Sequence, residues 1–176
     1  MKTLDLAALS TRYRVRRLGE ADLALVYALC LGNPLFYRYN GKTPSLEDLR
    51  QDLHLTPPGV PATRKYYLGF FQGDSLLAVL DLIDGYPDAD TAFIGFFLMN
   101  PDFQGRGLGS ALIGELAAAL GSFGFRALRL AIDKGNPQSG HFWRKNGFTV
   151  LREVPGPDHP LLLAERRLTR PLESET

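Results

Sequence analysis

One cysteine, Cys30, is all that this chain of 176 residues carries. A lone thiol forms no internal disulfide, and its isolation points to a reducing compartment. Net charge is nearly missing too: 20 basic residues stand against 19 acidic ones. That balance argues against a nucleic-acid-binding surface as the main task. No apolar run approaches the ~20 residues that span a bilayer, the longest being Leu23–Leu31. The first residues, Met1–Ser10, lack the apolar centre of a signal peptide. Repeats, low-complexity tracts and a domain linker are absent as well. Together these absences leave a soluble cytoplasmic protein with neither membrane nor nucleic acid as partner. What is present, 45% apolar residues, suffices for one sizeable core. A single domain over residues 1–176 is expected, with its core at about 13–168.

Hydrophobic spacing lays out the elements. Tyr13–Leu18 reads as a strand. Gly19-Glu20-Ala21-Asp22 opens a helix with Leu23, Val26, Tyr27 and Cys30 on one face, and Gly32-Asn33-Pro34 stops it. Leu35–Gly41 reads as an unusually aromatic connection. A second helix follows, capped by Ser45 with Asp48 three residues on, its apolar stripe being Leu46, Leu49 and Leu53. Lys65–Phe71 and Ser75–Ile83 form a hairpin around Gln72-Gly73-Asp74. Thr91–Met99 is nearly all apolar, as befits the sheet's centre, with Gly95 marking a bulge or a close backbone approach. A helix with Leu108, Leu112, Leu116 and Leu120 on one face comes next, closed by Gly121 and Gly124. Ala127–Asp133 alternates cleanly. Asn136-Pro137 starts a short helix that Asn146-Gly147 ends. Phe148–Val154 and Leu161–Leu168 close the chain, leaving a frayed tail after Leu168.

The stretch Gln104-Gly105-Arg106-Gly107-Leu108-Gly109-Ser110 carries the chemistry. Alternating glycines uncover backbone N–H groups, and the helix behind them aims its free N–H groups and positive dipole end at the loop. That is a socket for phosphate, with Arg106 adding charge on the solvent side. A nucleoside-triphosphate loop needs a Gly-Lys-Ser/Thr ending, and no lysine lies between Arg106 and Arg126. A dinucleotide fingerprint fits loosely as Gly105-x-Gly107-x-x-Ser110 with Asp133 downstream, yet Pro101-Asp102-Phe103-Gln104 intervenes between strand and loop. The pattern Gln/Arg-x-x-Gly-x-Gly/Ala is met in order by Gln104, Gly107 and Gly109.

That pattern resembles the pyrophosphate loop of the GNAT superfamily of acyl-CoA-dependent N-acetyltransferases. Two more patterns resemble the same family: Met99-Asn100-Pro101-Asp102-Phe103-Gln104, and Asn136 followed seven residues later by an aromatic, then Gly147-Phe148. The resemblance spans about Tyr13–Leu168. It implies an α/β (α+β) fold: a mixed, mostly antiparallel sheet of about six to seven strands with helices on both faces. It also implies acetyl-CoA as co-substrate and an amine of a small molecule or peptide as acceptor, used by direct transfer in a ternary complex by a monomer or homodimer. No metal is implied. By the same resemblance, backbone groups of Phe97, Leu98 and Met99 pair with the pantetheine arm. Amides from Gly105 through Arg106, Gly107, Leu108 and Gly109 to Ser110 hold the pyrophosphate. Asn136 contacts the pantetheine or simply caps its helix, and Trp143 lies near the sulfur.

The chain departs from that family at the chemical groups. Trp143 stands where many members have a tyrosine acid, and indole N–H is too weak an acid to replace it. Ala131 stands where some members carry a glutamate base. Replacement candidates are Asp81 and Asp133 as proton acceptor or relay, then Tyr37, Tyr39 and His141. An alternative is a catalytically silent acyl-CoA binder or sensor. Phe36–Tyr39 either walls the acceptor pocket or is core. Asp81, Asp84, Asp88 and Asp90 make the middle hairpin acidic, which suits an amine or merely a solvated turn.

Overall fold

The computed structural model describes residues 2–170, and its organising element is one sheet of seven strands in the order β1-β2-β3-β4-β5-β7-β6. The strands are β1 (Arg14–Arg17), β2 (Lys65–Gln72), β3 (Ser75–Asp84), β4 (Thr91–Met99), β5 (Ala127–Asp133), β6 (Thr149–Val154) and β7 (Leu161–Arg167). Only β4 and β5 run parallel; every other neighbouring pair is antiparallel. The helices are α1 (Leu23–Leu31), α2 (Pro34–Asn40), α3 (Leu46–Asp52), α4 (Leu108–Ser122) and α5 (Pro137–Lys145). The mixed sheet with flanking helices is the architecture expected from the sequence.

Both sheet faces are covered, because side chains alternate along each strand and both sets are apolar. One face packs Leu68, Phe70, Leu80, Leu128 and Leu130 against Leu112, Ile113, Leu116 and Leu120 of α4. Each such side chain contributes about 1.5–3 kcal/mol on burial. The opposite face packs Tyr67, Val79 and Leu98 against Val26 and Cys30 of α1, Tyr37 of α2 and Leu49 of α3. No helix among the described residues is long and apolar enough to cross a membrane.

Four local readings change. Leu35–Gly41 is not a connection: α2 runs through it, started by Pro34 at its first position. Leu46 points outward at 45% exposure, so the buried stripe of α3 is Leu49 and Leu53. The first residues join the core, with Leu4 and Leu9 buried beside α4, so the core begins well before Tyr13. Finally, Asp84 is buried while Asp88 caps the turn before β4, so these acids do not form one acidic face with Asp81. The tail after Leu168 lies beyond residue 170 for its last six residues, outside those described.

Candidate active site

The site arises from the way β4 leaves β5. The parallel pairing covers only Thr91–Ile94 against Ala127–Leu130. At Gly95 the β3–β4 register slips, with Asp81 opposite Phe96 but Leu82 opposite Ile94. This bulge bends β4 away and opens a cleft, while β5 continues along β7 to Asp133. Beyond Gly95, one edge of β4 is therefore unpaired. Asn100 donates its N–H to Leu77 on β3, and the Met99 carbonyl faces the other way. Peptide groups alternate along a strand, so Phe97 presents its N–H and C=O to the cleft whereas those of Leu98 face β3. The Met99 carbonyl is already taken, by Asn33 Nδ2 at 2.9 Å and Gln104 Nε2 at 3.0 Å. Of the expected trio, Phe97 is thus the residue whose main chain is free on both counts.

At the end of the cleft stands the glycine loop. Gly105 and Gly107 have φ of +76° and +73°, a left-handed conformation that side-chain-bearing residues rarely adopt. The first intrahelical bond of α4 runs from Ala111 N–H to the Gly107 carbonyl at 3.1 Å. The N–H groups of Leu108, Gly109 and Ser110 precede it and have no intrahelical acceptor. Gly109 serves packing: a β-carbon there would come within 3.3 Å of the Phe142 ring and 3.5 Å of Met99 Cγ. Gln104 braces the loop from behind, donating to Asn33 Oδ1 at 2.7 Å as well as to Met99. Asn33, read from sequence only as part of a helix stop, is the hub that ties α1, β4 and the loop together.

Two cavities meet here. One, of about 540 Å³, is lined by the glycine loop except Arg106, by Phe97, Leu98 and Met99, and by Asn136 and Trp143. Arg106 instead lies 6.0 Å over the Phe103 ring, outside the lining. Asn136 both lines this cavity and caps α5, accepting the Ser139 N–H at 3.1 Å. The other cavity, of about 480 Å³, has aromatic walls and carries Asp48, Asp52, Asp81 and Asp133. Phe36, Phe97, Ser139 and Trp143 line both. Trp143 is buried edge-on to Phe97, Phe142 and Phe148, an arrangement that makes it a wall.

The acidic cavity sorts the proposed proton carriers. His141 is exposed and lines neither cavity. Tyr39 is also outside both linings. Tyr37 lines the acidic cavity, but its hydroxyl donates to Cys30 Sγ at 3.1 Å, and burial raises its pKa far above the usual phenol range. Asp81 accepts from Lys65 Nζ at 2.9 Å through Oδ2, while buried Oδ1 has no partner among the described residues. Burial pushes its carboxyl up, against the pull of Lys65. Asp52 is raised by burial too, and it shares the field of the same lysine. Asp133 ends β5, two residues past Ala131 on the same face. It accepts from Asn40 Nδ2 at 3.1 Å and lies 2.7 Å from His159 Nε2. Asp52, Lys65 and His159 were not singled out from sequence, since each reaches the site from an element distant in the chain.

Residues 33–148 match the model of the acetyltransferase (GNAT) family. The chain belongs to this family. No curated protein matches it in sequence. The GNAT chain is similar in structure to an acetyltransferase from Thermus thermophilus, at 28% identity and a TM-score of 0.71, over 89% of this chain and 97% of that one. The ribosomal-protein-S18-alanine N-acetyltransferase of Escherichia coli shares the fold at 17% identity and TM-score 0.65, over 93% and 99% of the two chains. So does PaiA N-acetyltransferase from Thermoplasma acidophilum, solved in complex with coenzyme A, at 18% identity and TM-score 0.64, over 89% and 99%.

Proposed function

We propose that this GNAT enzyme transfers the acetyl group of acetyl-CoA directly to a primary amine of a small molecule or peptide. The observation that carries this reading is the junction of two chemically opposite cavities at Phe97 and Trp143, one ringed by bare amides and the other by carboxylates. Amides of Gly107 to Ser110 would hold the diphosphate, and the free main chain of Phe97 would pair with the pantetheine arm. The coenzyme A bound to the related PaiA enzyme agrees with that donor.

On the acceptor side, carboxylates favour a cation and aromatic rings favour an alkyl or ring-bearing body. A free amine near pKa 10.4 is neutral only about once in 2,500 at pH 7, roughly 4.6 kcal/mol uphill. Deprotonation beside the thioester is therefore worth much of the rate. Both carboxylates line the cavity, and Asp133 is assigned as proton acceptor because its partners are the Asn40 amide and the His159 imidazole, whereas Asp81 is bound to the Lys65 ammonium and backs the Gly95 bend. Asp81 and Asp52 then attract the ammonium. An N–H at the Gly95–Phe97 bend would polarise the thioester carbonyl.

Incubation with acetyl-CoA and a panel of amines, with released thiol as readout, tests the assignment. Thiol release that requires both substrates is expected. Coenzyme A binding without turnover on any amine would favour a silent binder.

A further inference from the structure

We infer that His159, acting through Asp133, carries the acceptor's proton out of the active site to solvent. The inference rests on the acetyl-transfer reading above and deepens it.

The reaction itself demands such a path. An ammonium and a thioester become an amide, a thiol and one proton. The nitrogen–carbon bond forms as the carbon–sulfur bond breaks. Of the three ammonium protons, one stays on the amide, one is matched by the proton the thiol gains, and one must leave. Ionisable side chains in the cavity wall can take up that proton and pass it outward.

Asp133 and His159 form one such path. The Asp133 side chain is 9% exposed and lines the acidic cavity, while that of His159 is 30% exposed at 2.7 Å from it. A carboxylate facing the amine and an imidazole facing water thus share a short hydrogen bond. The other carboxylate oxygen accepts from Asn40, so the group is held from two sides. Ala131, lacking a functional group, leaves room between the β4 bend and Asp133, about 6.6 Å farther along the strand.

The loop that delivers His159 is built for the purpose. A β-carbon on Gly156 would come 2.3 Å from the His159 carbonyl oxygen and 2.9 Å from Leu161 Cγ, so only glycine allows this fold-back. The Lys134 N–H fastens the loop's end by donating to the Pro160 carbonyl at 3.2 Å. Charged groups stand on the elements that meet at this corner. Asp133 comes from β5, and Asp158 from the loop itself, beside Gly41 at the end of α2. Lys134 is paired with Glu153 of β6, and Lys42 lines the acidic cavity. His159 is a positioning and relay residue, since it reaches the substrate only through Asp133.

His159→Gln separates relay from scaffold, because the amide N–H can still donate to Asp133 but cannot carry a proton. It is expected to lower kcat tenfold or more at pH 7, with the KM for acetyl-CoA and the melting temperature near those of the native enzyme. The pH profile of kcat should differ from that of the native enzyme. In His159→Ala, added imidazole should restore turnover in proportion to its free base. A native kcat and pH profile in His159→Gln overturns the relay alone. Failure of the native enzyme to acetylate any amine overturns the acetyl-transfer reading, and the relay with it.

Discussion

The carboxylate of Asp81 fills the space that a β-carbon on Gly95 would need, with Oδ2 only 2.9 Å from that position. Bend and acid therefore depend on each other. Gly95→Ala should force Asp81 off its bond to Lys65 and flatten the bulge that opens the cleft. A fall in kcat of at least tenfold is expected, with acetyl-CoA binding weakened less; unchanged kcat would remove the bend from the reaction centre.

Gly107 isolates charge from backbone strain. Asparagine and aspartate both tolerate φ near +73° better than most residues do. Gly107→Asn should keep measurable acetyl-CoA binding, whereas Gly107→Asp places a negative charge in the amide socket and should abolish it. Calorimetric titration of both variants makes the comparison.

The Lys65 ammonium, its side chain 3% exposed, donates to Asp81 Oδ2 at 2.9 Å and to the Leu55 carbonyl at 2.6 Å. Lys65→Met leaves Asp81 buried without its partner and should cost about 3–5 kcal/mol at pH 7. The sign with pH follows from a raised acid. A carboxyl whose folded pKa lies above the unfolded value of about 3.9 loses stability as pH rises from the one to the other. Lys65→Met should therefore melt higher at pH 5 than at pH 8, and adding Asp81→Asn should recover much of the loss. Thermal melts across that range are the check.

Asp22 behaves in the opposite sense. The Arg16 guanidinium at 2.8 Å and the Gly19 N–H at 2.9 Å hold its carboxyl below the usual range, against a smaller opposing effect of burial. A depressed acid stabilises the fold above its unfolded pKa and loses that contribution as pH falls through the folded one. Asp22→Asn should cost about 1 kcal/mol at neutral pH, a figure kept small because Arg16 is 39% exposed. The difference between the two proteins should shrink as pH falls below the unfolded carboxyl value of about 3.9.

Trp143→Phe tests whether the indole supplies a proton. The ring would keep most of its contacts with Phe97, Phe142 and Phe148. Turnover within about threefold of native is expected, with stability lower by about 1–2 kcal/mol. A loss beyond a hundredfold would make the N–H part of the chemistry.

The conformation of the glycine loop was legible in advance because it is set locally. Bare amides, a helix start and a preceding strand all lie within residues 91–122. The capping box of Ser45 and Asp48 and the cap at Asn136 were legible for the same reason. The aromatic α2 was mistaken for a connection because Gly32-Asn33-Pro34 looks like a stop. In the folded protein Pro34 opens a helix there, and the Asn33 side chain reaches across to Met99.

By itself, then, the sequence determined what each segment could be: which residues alternate, which break a helix, and where main-chain donors stay uncovered. Only the tertiary structure decided which distant groups became neighbours. Asp133 and His159 are 26 positions apart, and Lys65 and Asp81 are 16. The physical reason is one of range. Helix periods, caps and turns act over a few residues, whereas the pairing of ionisable groups in a cavity depends on strand order, on a bulge at Gly95 and on loops folded back from the far side of the sheet.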